Sequence, residues 1–162
     1  MNLKDVVFED YINYKKPSMF LIFPKCSFKC DSEFGVQICQ NWEVAHLPDI
    51  DVDANKLIRL YLQNPLTKAV VCGGLEPFDS SIELSTFINN FRTHSNDDIV
   101  IYTGYTEEEL QNRSVFKEII SHKNIIIKFG RYIPDYDPHY DEVLGVELNS
   151  DNQYAKGYNL CE

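Results

Sequence analysis

Positive charge is scarce in this chain: 15 Lys and Arg stand against 25 Asp and Glu, a formal net charge of −10 at pH 7. Nucleic-acid backbones are gripped by clustered Lys and Arg, so the deficit argues against direct nucleic-acid binding and fits simple solubility. Long apolar runs are missing too. The opening segment MNLKDVVFEDYINYKK interleaves acids and lysines, and the longest early apolar run, MFLIF at Met19 to Phe23, is of strand length. Neither a signal peptide nor a membrane helix can be built from such stretches, so a cytoplasmic protein without membrane association is expected. Glycine and proline, seven of each, are spread thinly, and no repeat or low-complexity tract marks a linker. A chain of 162 residues can bury one real core and not two generous ones, which predicts a single domain over 1–162.

Cysteine is used unevenly. Three of the five cysteines, Cys26, Cys30 and Cys39, fall within CSFKCDSEFGVQICQN, residues 26–41. In a reducing compartment clustered thiols act as metal ligands or redox groups rather than disulfides, and the odd total points the same way. Three thiolates can hold three irons of a [4Fe-4S] cluster and leave the fourth iron open to an exogenous ligand, as a catalytic zinc keeps one position free. With His46 as a fourth ligand, the same cysteines could instead form a structural zinc site in a non-enzymatic interaction module. Anaerobic iron and sulfide analysis separates the two. Cys72 sits in an apolar run and reads as a small core residue. Cys161, in the tail, reads as a bystander or an exposed redox thiol.

The order of elements predicts an α/β fold. Met19–Phe23, ending at Pro24, reads as a buried strand that runs into the cysteine loop. Asp53 can cap a helix over about residues 54–63, with Leu57, Ile58, Tyr61 and Leu62 at helical spacing. A strand at Lys68–Cys72 closes on Gly73-Gly74. Ser80 and Glu83 form a capping-box pattern before the stripe Leu84, Phe87, Ile88 and Phe91. Ile99–Tyr102 is a further strand, Thr106 with Glu109 a second capping box, and Asn124–Phe129 the next strand. Alternating strands and helices imply βαβ units, a parallel sheet and a site at the strands' C-terminal ends, where both the cysteine loop and the Gly-Gly turn lie.

VVCGGLEPFD, Val70 to Asp79, is the second constellation. Two glycines at a strand end let backbone approach a ligand closely, and an acid just beyond, Glu76, can accept hydrogen bonds from an ammonium group. A third stretch, DYDPHYDE, sets Asp135, Asp137, His139 and Asp141 at alternate positions. It reads as a solvated loop or a divalent-ion site. Its tyrosines, with Tyr132, suit a protein interface.

Together the first two stretches resemble the radical S-adenosylmethionine enzymes, and specifically the small activases of anaerobic ribonucleotide reductase, over most of the chain. In that family a strand leads into a Cys-x-x-x-Cys-x-x-Cys loop and a later strand ends in a Gly-Gly-Glu-Pro turn. A further strand reads much like YTGYTEEEL, here Tyr102 to Leu110, and FGRYIPD at 129–135 and NSDNQ at 149–153 are similar to the family's closing segments. Glu33 stands where the third cysteine is expected and Cys39 follows six residues later, so residues 31–38 read as a lengthened loop. CQN, at 39–41, is similar to the family's Cys-aromatic-Asn ending. Ile38 replaces the usual aromatic residue before the third cysteine, and Leu75 interrupts Gly-Gly-Glu.

The resemblance implies an incomplete parallel β/α barrel of the radical S-adenosylmethionine type. It implies Cys26, Cys30 and Cys39 as ligands of a [4Fe-4S] cluster, with Ile38, Asn41, Gly73, Gly74, Glu76 and Thr103 around S-adenosylmethionine. In the implied mechanism the amino and carboxylate groups of S-adenosylmethionine chelate the open iron. An electron from the reduced cluster then breaks the sulfonium bond, and the 5′-deoxyadenosyl radical abstracts hydrogen from a glycine of the partner. No general acid or base is expected, because the cofactor carries the hard chemistry. The implied partners are the large subunit of an anaerobic ribonucleotide reductase and a low-potential electron donor such as flavodoxin. The same chemistry could serve another glycyl-radical enzyme or a small molecule; the short chain, with little room for a substrate domain, favours a protein substrate.

Overall fold

A computed structural model describes residues 1–161. In chain order, β1 (Asn2–Leu3), β2 (Asp5–Asp10) and β3 (Ser18–Phe23) precede two short helices in the cysteine segment, α1 (Lys29–Phe34) and α2 (Trp42–Ala45). β4 (Ile50–Asp51) and α3 (Ala54–Gln63) lead to β5 (Ala69–Gly74), a 3₁₀ turn at Pro77–Ser80 and α4 (Ser81–Arg92). Then come β6 (Asp98–Tyr102), α5 (Glu107–Leu110), α6 (Ser114–Ser121) and β7 (Ile125–Phe129), followed by β8 (His139–Asp141), β9 (Val146–Leu148) and β10 (Tyr154–Tyr158).

The main sheet has six strands in the order β10-β7-β6-β5-β3-β2. β3, β5, β6 and β7 are parallel, and their runs of Val, Ile and Phe are buried on both faces, as expected of central parallel strands. The edges differ from expectation, because β2 and β10 pair antiparallel to their neighbours. A parallel neighbour needs a long crossover, supplied here by α3, α4 and α6, whereas β2 reaches β3 through residues 11–17 alone.

Local signals explain the starts of α3 and α5. Asp53 caps α3 by accepting the Asn55 amide, and Leu57, Ile58 and Tyr61 are buried as the spacing predicts. Leu62 is not: it is 48% exposed, one position beyond the buried stripe. The Thr106–Glu109 capping box forms in full. The Ser80–Glu83 box does not form, because the 3₁₀ turn runs directly into α4 and Ser80 makes no capping hydrogen bond; its Oγ is buried without a partner.

The crossover helices pack on one face of the sheet. Tyr61, Phe87, Phe91 and Phe116 meet Met19, Leu21, Phe23, Ile101 and Phe129 there. Side chains alternate along each strand, so Phe20, Val71, Tyr102 and Ile126 point the other way. Tyr14, Leu144 and Leu148 cover part of that second face, and the uncovered part walls a cavity. Among the described residues no helix is long and apolar enough to cross a membrane.

Candidate metal centre

The segments that leave β3, β5, β6 and β7 surround a cavity of about 490 Å³. Cys26, Cys30 and Cys39 line it, together with Ile38, Asn41, Gly74, Glu76 and Thr103. Predicted site residues as far apart in sequence as Cys26 and Thr103 therefore meet around one space. Gly73 lies just outside. A Cβ at Gly73 would stand 3.0 Å from Phe20 Cε2 and 3.3 Å from Tyr102 Cβ, so its bare backbone lets those rings close the cavity wall. Gly74 has φ +85°, and a Cβ there would come within 2.4 Å of Ile22 Cγ2.

Glu76 is fixed before any ligand arrives. Its amide donates to Lys25 O at 2.7 Å, which ties the turn after β5 to the start of the cysteine segment. Its Oε1 accepts from Thr103 Oγ1 at 2.8 Å and from the Phe78 amide at 3.1 Å, and Oε2 accepts from the Gly104 amide at 2.8 Å. A carboxylate offers about four lone-pair sites, so Oε2 retains an acceptor position. Burial pushes the Glu76 carboxyl up to about 7, although those hydrogen bonds pull the other way. Thr103 thus acts on the cavity through Glu76.

Several tethers hold the cysteine segment. The Phe28 amide donates to Cys26 Sγ at 3.2 Å, and the Ser27 amide donates to Asp79 Oδ2 at 2.7 Å. Asn41 Nδ2 donates to Gly74 O at 2.7 Å, binding the far end of the segment to β5. Burial pushes the Cys26 thiol up to about 12, and burial with the neighbouring Cys39 pushes Cys30 up to about 11. A bound metal centre would displace those protons, since thiolates are the ligating form.

His46 stays apart. Its Nδ1 pairs with Trp42 O at 2.9 Å, its ring lies 5.0 Å from the Trp42 ring, and it does not line the cavity. The zinc alternative therefore lacks its fourth ligand here. Among the described residues no group of three or more His, Cys, Asp or Glu converges tightly enough to hold a single ion. The three thiols instead border a common space, which fits a cluster that gives each thiolate its own iron. The acidic run at 135–142 holds no ion site either. Asp141 is buried and its two oxygens accept the Leu144 and Ala155 amides, pinning the β8–β9 hairpin.

Three lining or supporting groups escaped sequence reading. Lys128 is a lone lysine inside IIIKF, 7% exposed, and donates to Gly130 O at 2.7 Å; burial lowers its ammonium to about 7. A charged residue inside an otherwise apolar strand was the signal available. Arg131 forks both oxygens of Glu109 at 3.0 and 2.7 Å and holds that carboxyl down to about 2. Asp79 holds the cysteine segment through Ser27.

A comparison with protein families matches residues 18–152 to the 4Fe-4S single cluster domain, a span from β3 to just before β10 that includes every cavity-lining cysteine. No curated protein and no solved structure matches the chain. On the strength of that match over most of its length, the chain belongs to the 4Fe-4S single cluster domain family, and the cofactor it binds is a [4Fe-4S] cluster.

Proposed function

We propose that this protein is a radical S-adenosylmethionine activase that installs a glycyl radical on a partner of the anaerobic ribonucleotide reductase type. One observation carries the reading: three cysteines and a buried, pre-oriented carboxylate face the same cavity at the C-terminal ends of parallel strands. In this reading the open sheet serves as the incomplete barrel of that enzyme class. Cys26, Cys30 and Cys39 would hold the cluster. When bound and reduced, the cluster supplies the electron that cleaves the sulfonium bond of S-adenosylmethionine.

The chain's own residues bind and orient. The spare acceptor position of Glu76 Oε2 receives the ligand's ammonium group, while Thr103 and the Gly104 and Phe78 amides keep the carboxylate from rotating. Ile38 offers an apolar wall where a flat base would lie, and Gly74 lets backbone approach the ligand. The cavity volume falls within the usual cofactor range of about 300–1,000 Å³. Exposed Tyr136 and Tyr140, beside cavity-lining Tyr132, give a protein partner an aromatic landing surface that would also shield the radical from water.

The test is anaerobic reconstitution, reduction and addition of an anaerobic ribonucleotide reductase large subunit. Cleavage of S-adenosylmethionine should accelerate, and a glycine-centred radical should appear on the partner by paramagnetic resonance. Rapid turnover of a small molecule with no partner present would contradict the activase reading.

A further inference from the structure

Eight residues separate Cys30 from Cys39. A flexible segment of that length would leave its ends free of one another, and the loss of that freedom opposes bringing both thiols to one cavity. The fold resolves this locally. Cys30 and Asp31 occupy the first turn of α1, and Gly35, at φ +71°, ends the helix with its amide on Asp31 O at 2.8 Å. The chain then doubles back. Asp31 Oδ1 accepts the amide of Ile38 at 2.8 Å and the amide of Cys39 at 2.8 Å. The same oxygen lies 3.9 Å from Cys30 Sγ. One carboxylate oxygen thus joins the helix that carries the second cysteine to the backbone of the third.

Other ties on this excursion are weaker. Arg131 Nη2 lies 3.4 Å from Glu33 Oε1, but that carboxylate is 55% exposed, where solvent screens the attraction. The Asp31 bonds differ in kind, being charge-assisted bonds to two successive amides next to a cavity-lining sulfur. Outer partners of this type orient metal ligands and are as consequential as the ligands' own geometry.

We propose that Asp31 is the positioning residue for the third cluster thiolate: by latching the Ile38 and Cys39 amides it folds the lengthened loop so that Cys39 faces the same cavity as Cys26 and Cys30. The inference rests on the assignment of those three cysteines as ligands and is independent of what the loaded protein reacts with. Because the Asp31 carboxylate stands beside the cluster pocket, its charge also opposes reduction of the cluster, whose potential responds to nearby charge.

The experiment compares wild type, Cys39→Ala, Asp31→Ala and Asp31→Asn after anaerobic reconstitution. It reads iron per chain under chelator competition, the paramagnetic spectrum and the reduction potential. Asp31→Ala should hold its cluster about 10–100-fold more weakly than wild type, in the direction of Cys39→Ala. Asp31→Asn keeps an acceptor oxygen without the charge; it should restore the iron content and show a potential above that of wild type. Should Asp31→Ala not fold, Asp31→Ser, whose shorter side chain cannot span to both amides, carries the same expectation. If Cys39→Ala loses iron while Asp31→Ala retains all of it with an unchanged spectrum and potential, the latch is wrong and the ligand assignment stands. If Cys39→Ala itself keeps a full cluster, the ligand assignment fails and the latch fails with it.

Discussion

The hydroxyl of Tyr105 donates a 2.6 Å hydrogen bond to Asp79 Oδ1. The other oxygen of that carboxylate accepts the amide of Ser27, the residue after Cys26, at 2.7 Å. A segment that follows β6 therefore steadies the cysteine segment through an acid in the turn after β5. Three cations crowd the same ring: Lys29, Arg113 and Arg131 lie 4.7, 4.2 and 5.8 Å from its centre.

That relay predicts an effect on the cluster from a residue that is not a ligand. Asp79→Ala should weaken cluster retention about tenfold or more under chelator competition, and Tyr105→Phe less, since it removes one charge-assisted bond of about 1.5–3 kcal/mol and leaves the tie from Asp79 to Ser27 in place. Equal retention in Asp79→Ala and wild type would remove the relay from the account.

Glu76 should govern ligand affinity through its ionised form. A charge-assisted hydrogen bond contributes about 1.5–3 kcal/mol, so Glu76→Gln should weaken S-adenosylmethionine binding roughly ten- to a hundredfold by calorimetry. Burial holds this carboxyl near 7, and its protonated form cannot accept from an ammonium group in the same way. Affinity should rise as pH increases through about 7, level off above, and lose that step in Glu76→Gln. Lys128 titrates in the same range and in the same cavity, so Lys128→Met should retain the Glu76 step. A step of equal size in Glu76→Gln would place the titration elsewhere.

Cys72 provides a control. It is fully buried on the helix-covered face of the sheet, away from the face that walls the cavity. Cys72→Ala should leave iron content unchanged and lower stability by about 1 kcal/mol through a small cavity. Loss of the cluster in Cys72→Ala, with retention in Cys39→Ala, would reverse the ligand assignment.

Gly74→Ala should act on fold and site together. The left-handed backbone at φ +85° costs a non-glycine residue about 1–3 kcal/mol, and the new Cβ would collide with Ile22 Cγ2 at 2.4 Å and crowd Ile22 Cα at 3.1 Å. For a domain of this size each kcal/mol is roughly 2–4 °C in Tm, so a loss of several degrees is expected in a thermal melt. An unchanged Tm would mean that the turn after β5 is not constrained as described.

The central strands and helices α3 and α4 were readable, and α6 was not, because each of the former is a run whose pattern reports its own burial. SMFLIF, DIVIY and IIIKF are apolar enough to be inside wherever they pair, and the Asp53 and Thr106 caps act within one turn. β2 and β10 were not readable. DVVFED and YAKGY mix polar and apolar residues, and their strand character comes from pairing with β3 and β7. The same division applies to the site. Cysteine clustering and the acid after Gly-Gly singled out Cys26, Cys30, Cys39 and Glu76, which the fold brings to one cavity. Asp31 and Asp79 gave no such signal, because what they do depends on which backbone amides the fold brings to them.

If a cluster on Cys26, Cys30 and Cys39 faces S-adenosylmethionine held by Glu76, the anaerobically reconstituted, reduced protein should form 5′-deoxyadenosine. Product is predicted from wild type, is strongly reduced in Glu76→Gln and is absent in Cys39→Ala. A wild-type protein that carries a full, reducible [4Fe-4S] cluster, binds S-adenosylmethionine and yields no 5′-deoxyadenosine with its partner present would contradict the account.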